Sequence, residues 1–245
     1  MRGFTAGRRD KNSNLQAALT LARVKCAWTR AASPRPSPTR EEGGIHFTAA
    51  AGAPWRRLVR PAAHLACALP LAWLVANGAL GHLGANPIEA VIRFLGDWAL
   101  RLLIAALAVT PLRRLSGWAA LARYRRMVGL WGFAYALLHL LSYVVLDQFF
   151  DWANIGHEIL KHKFITAGMA AFTLLLPLAA TSTDGMIRRL GGPAWRRLHR
   201  LVYVAVPLAA IHYVWMVKAD IRQPLVYVGI AALLLASRRV YARQR

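Results

Sequence analysis

Polar and apolar positions divide this chain into two unlike parts. From about Leu58 onward, long apolar runs alternate with short charged loops, whereas residues 1 to about 53 contain no long apolar run. A helix needs about 20 mostly apolar residues to cross the hydrocarbon of a bilayer. Six segments approach that length, at about 58–78, 97–115, 127–147, 163–181, 198–217 and 223–240. The pattern predicts an all-α membrane protein, a six-helix transmembrane bundle spanning residues 54–245. The second segment carries Arg101 near one end, where a long side chain can snorkel to the interface. The sixth is short, and only Gln223 and Pro224 mark its outer end.

Charge orients the bundle. Arg56, Arg57 and Arg60 precede the first segment, and Arg113, Arg114, Arg123, Arg125 and Arg126 join the second to the third. Arg188, Arg189, Arg196 and Arg197 join the fourth to the fifth, and Arg238, Arg239, Arg243 and Arg245 follow the sixth. The alternate loops balance acids against bases, as with Glu89, Arg93 and Asp97. Basic loops stay cytoplasmic, so both termini are expected inside, in agreement with an even number of spans. Most tryptophans, from Trp55 to Trp215, fall near the proposed ends, as an aromatic belt does. The formal net charge of +22 therefore flanks apolar segments and forms no single basic surface, which argues against nucleic acid as a partner. Two cysteines, Cys26 in the polar tail and Cys67 in an apolar run, are too few for a disulfide framework and argue against zinc.

Residues 1–53 include the stretch ASPRPSPTREEGG and scattered Arg, Ser and Pro. Such a composition cannot bury a core, so it reads as a disordered basic N-terminal extension. Arg23 and Lys25 interrupt its only mildly apolar stretch, which a secretory signal does not tolerate. Its Arg-rich character weakly resembles a transit peptide, against which Asp10, Glu41 and Glu42 count. An overextended start of translation accounts for it equally well.

Three histidines sit where histidines are costly. His139 lies inside LWGFAYALLHLLSYVVL, and His199 and His212 bracket LVYVAVPLAAI. Ionisable side chains in a bilayer-length helix are functional candidates by default, and imidazole is a common axial ligand of haem iron. His139 lies 13 residues beyond Arg126, and His212 lies 13 residues beyond His199. Each interval is a rise of about 20 Å along a helix. The third and fifth segments both run outward, so His139 and His212 fall at matching depth toward the outer side. A macrocycle between them would be six-coordinate and suited to electron transfer. A buried histidine that only bonds a neighbouring helix is the alternative for either one.

His199 is expected near the cytoplasmic end beside Arg196, Arg197 and Arg200, where a solvated interfacial histidine is the plain expectation. On an ideal helix, 13 residues end about 140° short of a whole number of turns, so His199 and His212 do not share a face. Pro207 between them can bend the helix. The residues level with His199 on the third segment are Arg125 and Arg126, neither an iron ligand. His199 remains a haem ligand or a haem-edge residue, with His64 on the first segment as a candidate to complete a second site. His46, His82, His157 and His162 fall in the tail and the outer loops and read as solvated.

The absence of a Cys-x-x-Cys-His motif makes any haem b-type and non-covalent. No Gly-x-Gly-x-x-Gly junction is present, and little sequence remains outside the spans, so the chain carries no nicotinamide or FAD domain of its own. A haem without an attached dehydrogenase is a relay that needs a donor on one side and an acceptor on the other. Inner arginines can pair haem propionates or a flavin phosphate, although setting topology accounts for most of them.

The segments GANPIE, TPLRRL, GLWGFAYALLHLLSY, TSTDGMIRRLGG, WRRLHRLVY and IHYVWMVK occur in the order and spacing of the MsrQ (YedZ) family, within the ferric-reductase-like transmembrane group. The chain resembles that family over about residues 55–243. The resemblance implies a multi-pass b-type haem protein of the bacterial inner membrane with one or two haems and an attributed FMN. It implies electrons taken from the quinone pool or a cytosolic flavin reductase. They pass to a periplasmic molybdopterin subunit that reduces methionine sulfoxide in oxidised proteins. The chain is then an electron-transfer subunit, with no catalytic residue of its own. The family's haem histidines fall on His139, His199 and His212. Related ferric reductases and NADPH oxidases use two histidines on each of two helices, and here an arginine holds the fourth place. A stand-alone ferric reductase or a cytochrome b relay to another periplasmic acceptor is the nearest alternative. A haem-free transporter or scaffold is the alternative from another class; a transporter predicts an ionisable path and an internal repeat, and neither is seen in the sequence.

Overall fold

The computed structural model describes residues 55–217 and 220–243, with side chains placed within 59–217 and 220–238. The extension read at residues 1–53 lies outside the described residues, which contain helices and no strands. They run α1 (Trp55–Ala79), α2 (Pro87–Ser116), α3 (Leu121–Ser142) with a π-helical turn (Tyr143–Asp147), α4 (Trp152–Lys161) and α5 (Lys163–Ala180). After these come α6 (Asp184–Leu190), α7 (Gly192–Leu198), a 3₁₀ turn (His199–Leu201), α8 (Val202–Met216) and α9 (Arg222–Arg243).

Local chemistry sets the ends. The Asn86 side chain caps α2 by accepting from the Glu89 amide, Pro87 begins the first turn, and Gly117 at φ 68° ends the helix in the left-handed region. Asp151 caps α4 through the Asn154 amide, and Thr183 caps α6 through the Met186 amide. The Asn86 cap starts α2 about ten residues before the apolar run that the sequence marked, because a capped polar turn extends a helix past its apolar part. The loop helices α4, α6 and α7 also escaped the apolar pattern, being too short to show as spans.

Among the described residues, four helical stretches are long and apolar enough to cross a membrane: Val59–Ala79, Leu121–Asp147, Lys163–Ala180 and Gly192–Met216. The other two expected segments fall on α2 and α9, of 30 and 22 residues. At 1.5 Å per residue both helices exceed about 30 Å, the thickness of a hydrocarbon core, and neither is among those four. The fifth segment is not one helix, because the 3₁₀ turn breaks it at His199.

The closest helix pairs are α2 with α3 and α5 with α8. Small residues permit this. A Cβ on Gly132 of α3 would lie 3.0 Å from Leu103 Cγ and 3.2 Å from the Leu103 amide nitrogen on α2. Leu100, Leu103 and Leu107 of α2 meet Leu175 and Leu178 of α5, Ala205 and Val206 of α8, and Ala231 of α9 in one core cluster. A second cluster joins Cys67 and Leu74 of α1 to Leu95, Ala99 and Tyr135. Leu65, Leu69 and Val75 on α1 and Leu225, Val226 and Leu233 on α9 are exposed apolar side chains, the kind of surface that lipid covers.

Candidate functional site

His139 on α3 and His212 on α8 come together, with ring centres 6.2 Å apart and planes at 73°. Each ring is held from behind by a backbone carbonyl. His139 Nδ1 lies 2.8 Å from the Ile92 carbonyl oxygen on α2, and His212 Nδ1 lies 2.6 Å from the Phe164 carbonyl oxygen on α5. A carbonyl only accepts, so each Nδ1 carries the hydrogen and each Nε2 keeps its lone pair. Such a second hydrogen bond fixes the tautomer and orientation of a ligating imidazole.

Two glycines make these contacts possible. In an α-helix the carbonyl of residue i faces the amide of residue i+4, which puts Gly96 beside the Ile92 carbonyl and Gly168 beside the Phe164 carbonyl. A Cβ on Gly96 would sit 3.1 Å from His139 Nδ1, and one on Gly168 would sit 2.9 Å from His212 Nδ1. The apolar pattern marks neither. A glycine inside an apolar helical run, where it costs stability, was the available signal.

His199 is placed differently. Its Nδ1 lies 3.1 Å from the Trp195 carbonyl oxygen, its Nε2 lies 3.4 Å from Ser182 Oγ, and its ring stacks on Trp195 at 3.9 Å between centres. It lines a cavity of about 610 Å³ between α2, α3, α5 and the α7–α8 joint. No second histidine lines that cavity among the described residues. His199 begins the 3₁₀ turn, whose three residues at 3.0 per turn advance the phase by about 60° and leave His199 and His212 about 80° short of a shared face.

His64 is exposed on α1 and accepts at Nδ1 a hydrogen bond of 3.0 Å from Trp131 Nε1, and it does not line the cavity with His199. His157 and His162 lie 3.8 Å and 3.2 Å from Glu158 in the α4 region. Arg101 does not extend to an interface as a free side chain. Its Nε donates to Tyr227 OH on α9 at 2.8 Å, its Nη2 lies 3.8 Å from Asp97, and its guanidinium sits 5.1 Å from the Trp98 ring centre. The cause is a polar partner on the neighbouring helix, which a hydropathy pattern cannot reveal. At the loop between α5 and α6, the hydrogen bond from the Arg126 guanidinium holds the Asp184 carboxyl below the usual carboxylate range, with the charges of Arg126 and Arg188 acting in the same direction.

Residues 95–210 match the family described as ferric reductase like transmembrane component, a stretch that contains His139 and His199 and ends two residues before His212. The chain is 58% identical over 189 residues to the protein-methionine-sulfoxide reductase heme-binding subunit MsrQ of Rhodospirillum rubrum, covering 77% of this chain and 91% of that protein. It is 54% identical over 171 residues to the protein of the same name from Caulobacter vibrioides, covering 70% and 81%. With that of Herminiimonas arsenicoxydans it shares 46% identity over 194 residues, covering 78% and 89%. With identity at this level across most of the length of each relative, the chain belongs to the MsrQ family.

Proposed function

We propose that this chain is the membrane electron-transfer subunit of a methionine-sulfoxide reductase system and holds a b-type haem between His139 and His212. One observation carries the reading. Two imidazoles bound through nitrogen to one iron at about 2 Å place their ring centres about 6 Å apart, and the separation here is 6.2 Å with both Nε2 lone pairs available. Two protein ligands leave the other coordination positions to a macrocycle. The relatives named as heme-binding subunits support the same cofactor.

A haem bound there would be held by His139 and His212 and would supply one-electron chemistry, with transfer favoured over oxygen binding. The chain's own contribution is rigidity. Each ligand is locked by a carbonyl of the adjacent helix, and Gly96 and Gly168 let the helices close behind the rings. The other parts of the proposal follow from the sequence and the family. Six helices cross the bacterial inner membrane with both termini in the cytoplasm, and residues 1–53 are an N-terminal extension. Electrons enter from a quinone or a cytosolic flavin reductase, with FMN as a second cofactor, and leave to a periplasmic molybdopterin subunit that reduces methionine sulfoxide. His199 belongs to the entry side as a cofactor-edge residue. A second haem there needs a ligand that neither His64 nor the cavity lining supplies.

A reduced-minus-oxidised spectrum of the purified protein is expected to show a low-spin b-type haem at one per chain. His139→Ala and His212→Ala are each expected to abolish it. Normal haem content in both variants overturns the ligand pair, and absence of haem from the native protein overturns the relay.

A further inference from the structure

The connection between α3 and α5 exposes apolar side chains that the packing of the bundle does not use. Phe149, Phe150, Trp152 and Leu160 are 75%, 54%, 66% and 89% exposed. Phe149 and Phe150 also stand at φ 48° and 64°, a left-handed conformation that is costly for bulky residues and free for glycine. Hydrogen bonds hold the turn in that shape. The Phe150 amide donates to the Val144 carbonyl oxygen at 3.0 Å, and Asn154 Nδ2 donates to Gln148 Oε1 at 2.6 Å. In water, a turn that strains its backbone to display two phenyl rings gains nothing from them, whereas rings placed in hydrocarbon offset the strain. The next helix, α4, continues the same surface. At 100° per residue, Trp152, Gly156, Leu160 and Ala153 fall on one arc of about 100°, and all four are exposed. Beside that arc Ile155 is buried and Ile159 half-buried. Asn154, His157, Glu158 and Lys161 occupy the opposite arc. A short helix with this division of faces has the pattern of one lying in the plane of a bilayer interface.

We propose that the turn and α4 form a lipid-seated anchor: Phe149, Phe150, Trp152 and Leu160 lie among acyl chains at the bilayer interface, and the arc of Asn154, His157 and Lys161 faces water. Tethering fixes the level. The apolar stretch before the turn ends at Asp147 and the next begins at Lys163, each long and apolar enough to cross a membrane. Only His162 separates α4 from α5, and Thr166 Oγ on α5 donates to the Ile159 carbonyl oxygen on α4. The helix therefore stays where its neighbours leave the hydrocarbon. The exposed face also continues a lipid-covered one, since Leu137, Leu141 and Leu146, which lead along the chain into the turn, are exposed as well. Docking of a water-soluble partner is the competing use of such a patch. A soluble partner leaves both phenyl rings in water whenever it is absent, whereas lipid covers them at all times. Seated in this way, α4 sets the depth of the histidine pair. His139 lies eight residues before Asp147, and Phe164, whose carbonyl holds His212, lies two residues after His162, which puts the pair on the order of 10 Å beneath the interface. The meaning of that depth for electron exit rests on the relay reading, whereas the lipid seat rests only on the spans.

The test is the depth of single nitroxide labels on the full chain in phospholipid nanodiscs. Electron paramagnetic resonance compares their relaxation by oxygen, which concentrates in the bilayer, with relaxation by a water-soluble nickel chelate. Labels are carried by Phe149→Cys, Gly156→Cys and Leu160→Cys on the apolar surface and by Asn154→Cys and His157→Cys on the opposite arc, each in a Cys26→Ser/Cys67→Ala background. Nothing lies within 4 Å of a Cβ at Gly156, so attachment there begins in open space. The oxygen-to-nickel ratio is expected to be several-fold higher at Phe149, Gly156 and Leu160 than at Asn154 and His157, as for side chains seated about 5–10 Å into the interface. Gly156 and His157 are adjacent in the chain, so opposite values at the two cannot come from a chain that failed to fold. Equal ratios on the two arcs overturn the proposal. Ready access of nickel to Phe149 and Leu160 overturns it as well and marks the face as open to a protein partner. Haem content separates this outcome from the relay: a haem-containing chain without the pattern refutes the lipid seat alone, and a haem-free chain with the pattern refutes the relay alone.

Discussion

Gly168→Ala adds a single methyl group where the structure has least room for it. The new Cβ would sit 2.9 Å from His212 Nδ1, 3.0 Å from Cε1 and 3.2 Å from Cγ. Favourable contacts between such atoms lie at about 3.5–4.0 Å, so the ring and α5 must separate by roughly half an ångström. The ring is rigid, and its Nδ1–H is bonded to the Phe164 carbonyl oxygen at 2.6 Å. Retreat from the methyl group therefore stretches the bond that orients the ring. Overpacking of this kind costs about 1–3 kcal/mol, and loss of the hydrogen bond adds about 1 kcal/mol. Felt at the ligand, each 1.4 kcal/mol is about a tenfold loss of haem affinity. The assay is haem retention during titration with an apo-haemoprotein acceptor, together with the low-spin electron paramagnetic resonance signal, which reports axial geometry. Gly96→Ala acts in the same direction on His139 with slightly more room, at 3.1 Å. Gly156→Ala is the control: nothing lies within 4 Å of its Cβ, so this change in α4 is expected to be neutral or stabilising by up to about 1 kcal/mol. Native haem affinity and an unshifted resonance signal in Gly168→Ala refute the placement of His212 against α5.

Three further outcomes are expected. Tyr135→Phe removes the hydrogen bond of 2.8 Å from a fully buried hydroxyl to the Cys67 carbonyl oxygen on α1; a loss of about 1 kcal/mol lowers the melting temperature by about 2–4 °C, with haem content unchanged, as followed by the Soret band during heating. Asp184 has a folded pKa below its ordinary value, so its contribution is present at neutral pH and is lost as pH falls through the acid range below about 4. Asp184→Asn should therefore flatten the stability profile in that range, with a small effect that salt screens, because the pair is exposed. Deleting residues 2–50 is expected to leave membrane insertion and haem binding intact, checked by fractionation and the difference spectrum, and haem loss would show the extension to be structural.

The histidine pair was legible because depth along a helix is simple arithmetic. Equal intervals from Arg126 to His139 and from His199 to His212 survive into a structure where the two ring centres lie 6.2 Å apart. The helix positions were legible for a related reason, since apolar length marks a span. What the sequence concealed depends on atoms that no side-chain alphabet records. The acceptors at His139 and His212 are backbone carbonyls, and Arg101 is retained by Tyr227, 126 positions away. The helix break at His199 is not legible in the sequence, because a 3₁₀ turn has no apolar signature. The cavity was invisible as well, because arginines that line it read the same as arginines that only fix topology.

The glycine contacts expose a likeness that the sequence did not. The two closest helix pairs, α2 with α3 and α5 with α8, are built alike: the second helix of each carries a histidine that bonds the first at the carbonyl four residues before a glycine. Ile92 and Gly96 serve His139 as Phe164 and Gly168 serve His212. At the histidine pair the two helix pairs therefore present matched imidazoles, and on the proposed reading an iron held there would meet equal constraint from both sides. At the inner level the likeness ends. One half offers His199, already engaged with Trp195 and near Ser182, and the other offers Arg125 and Arg126. On the proposed reading, the chain would pair a symmetric, rigid site for the iron at His139 and His212 with an asymmetric, arginine-lined cavity at His199.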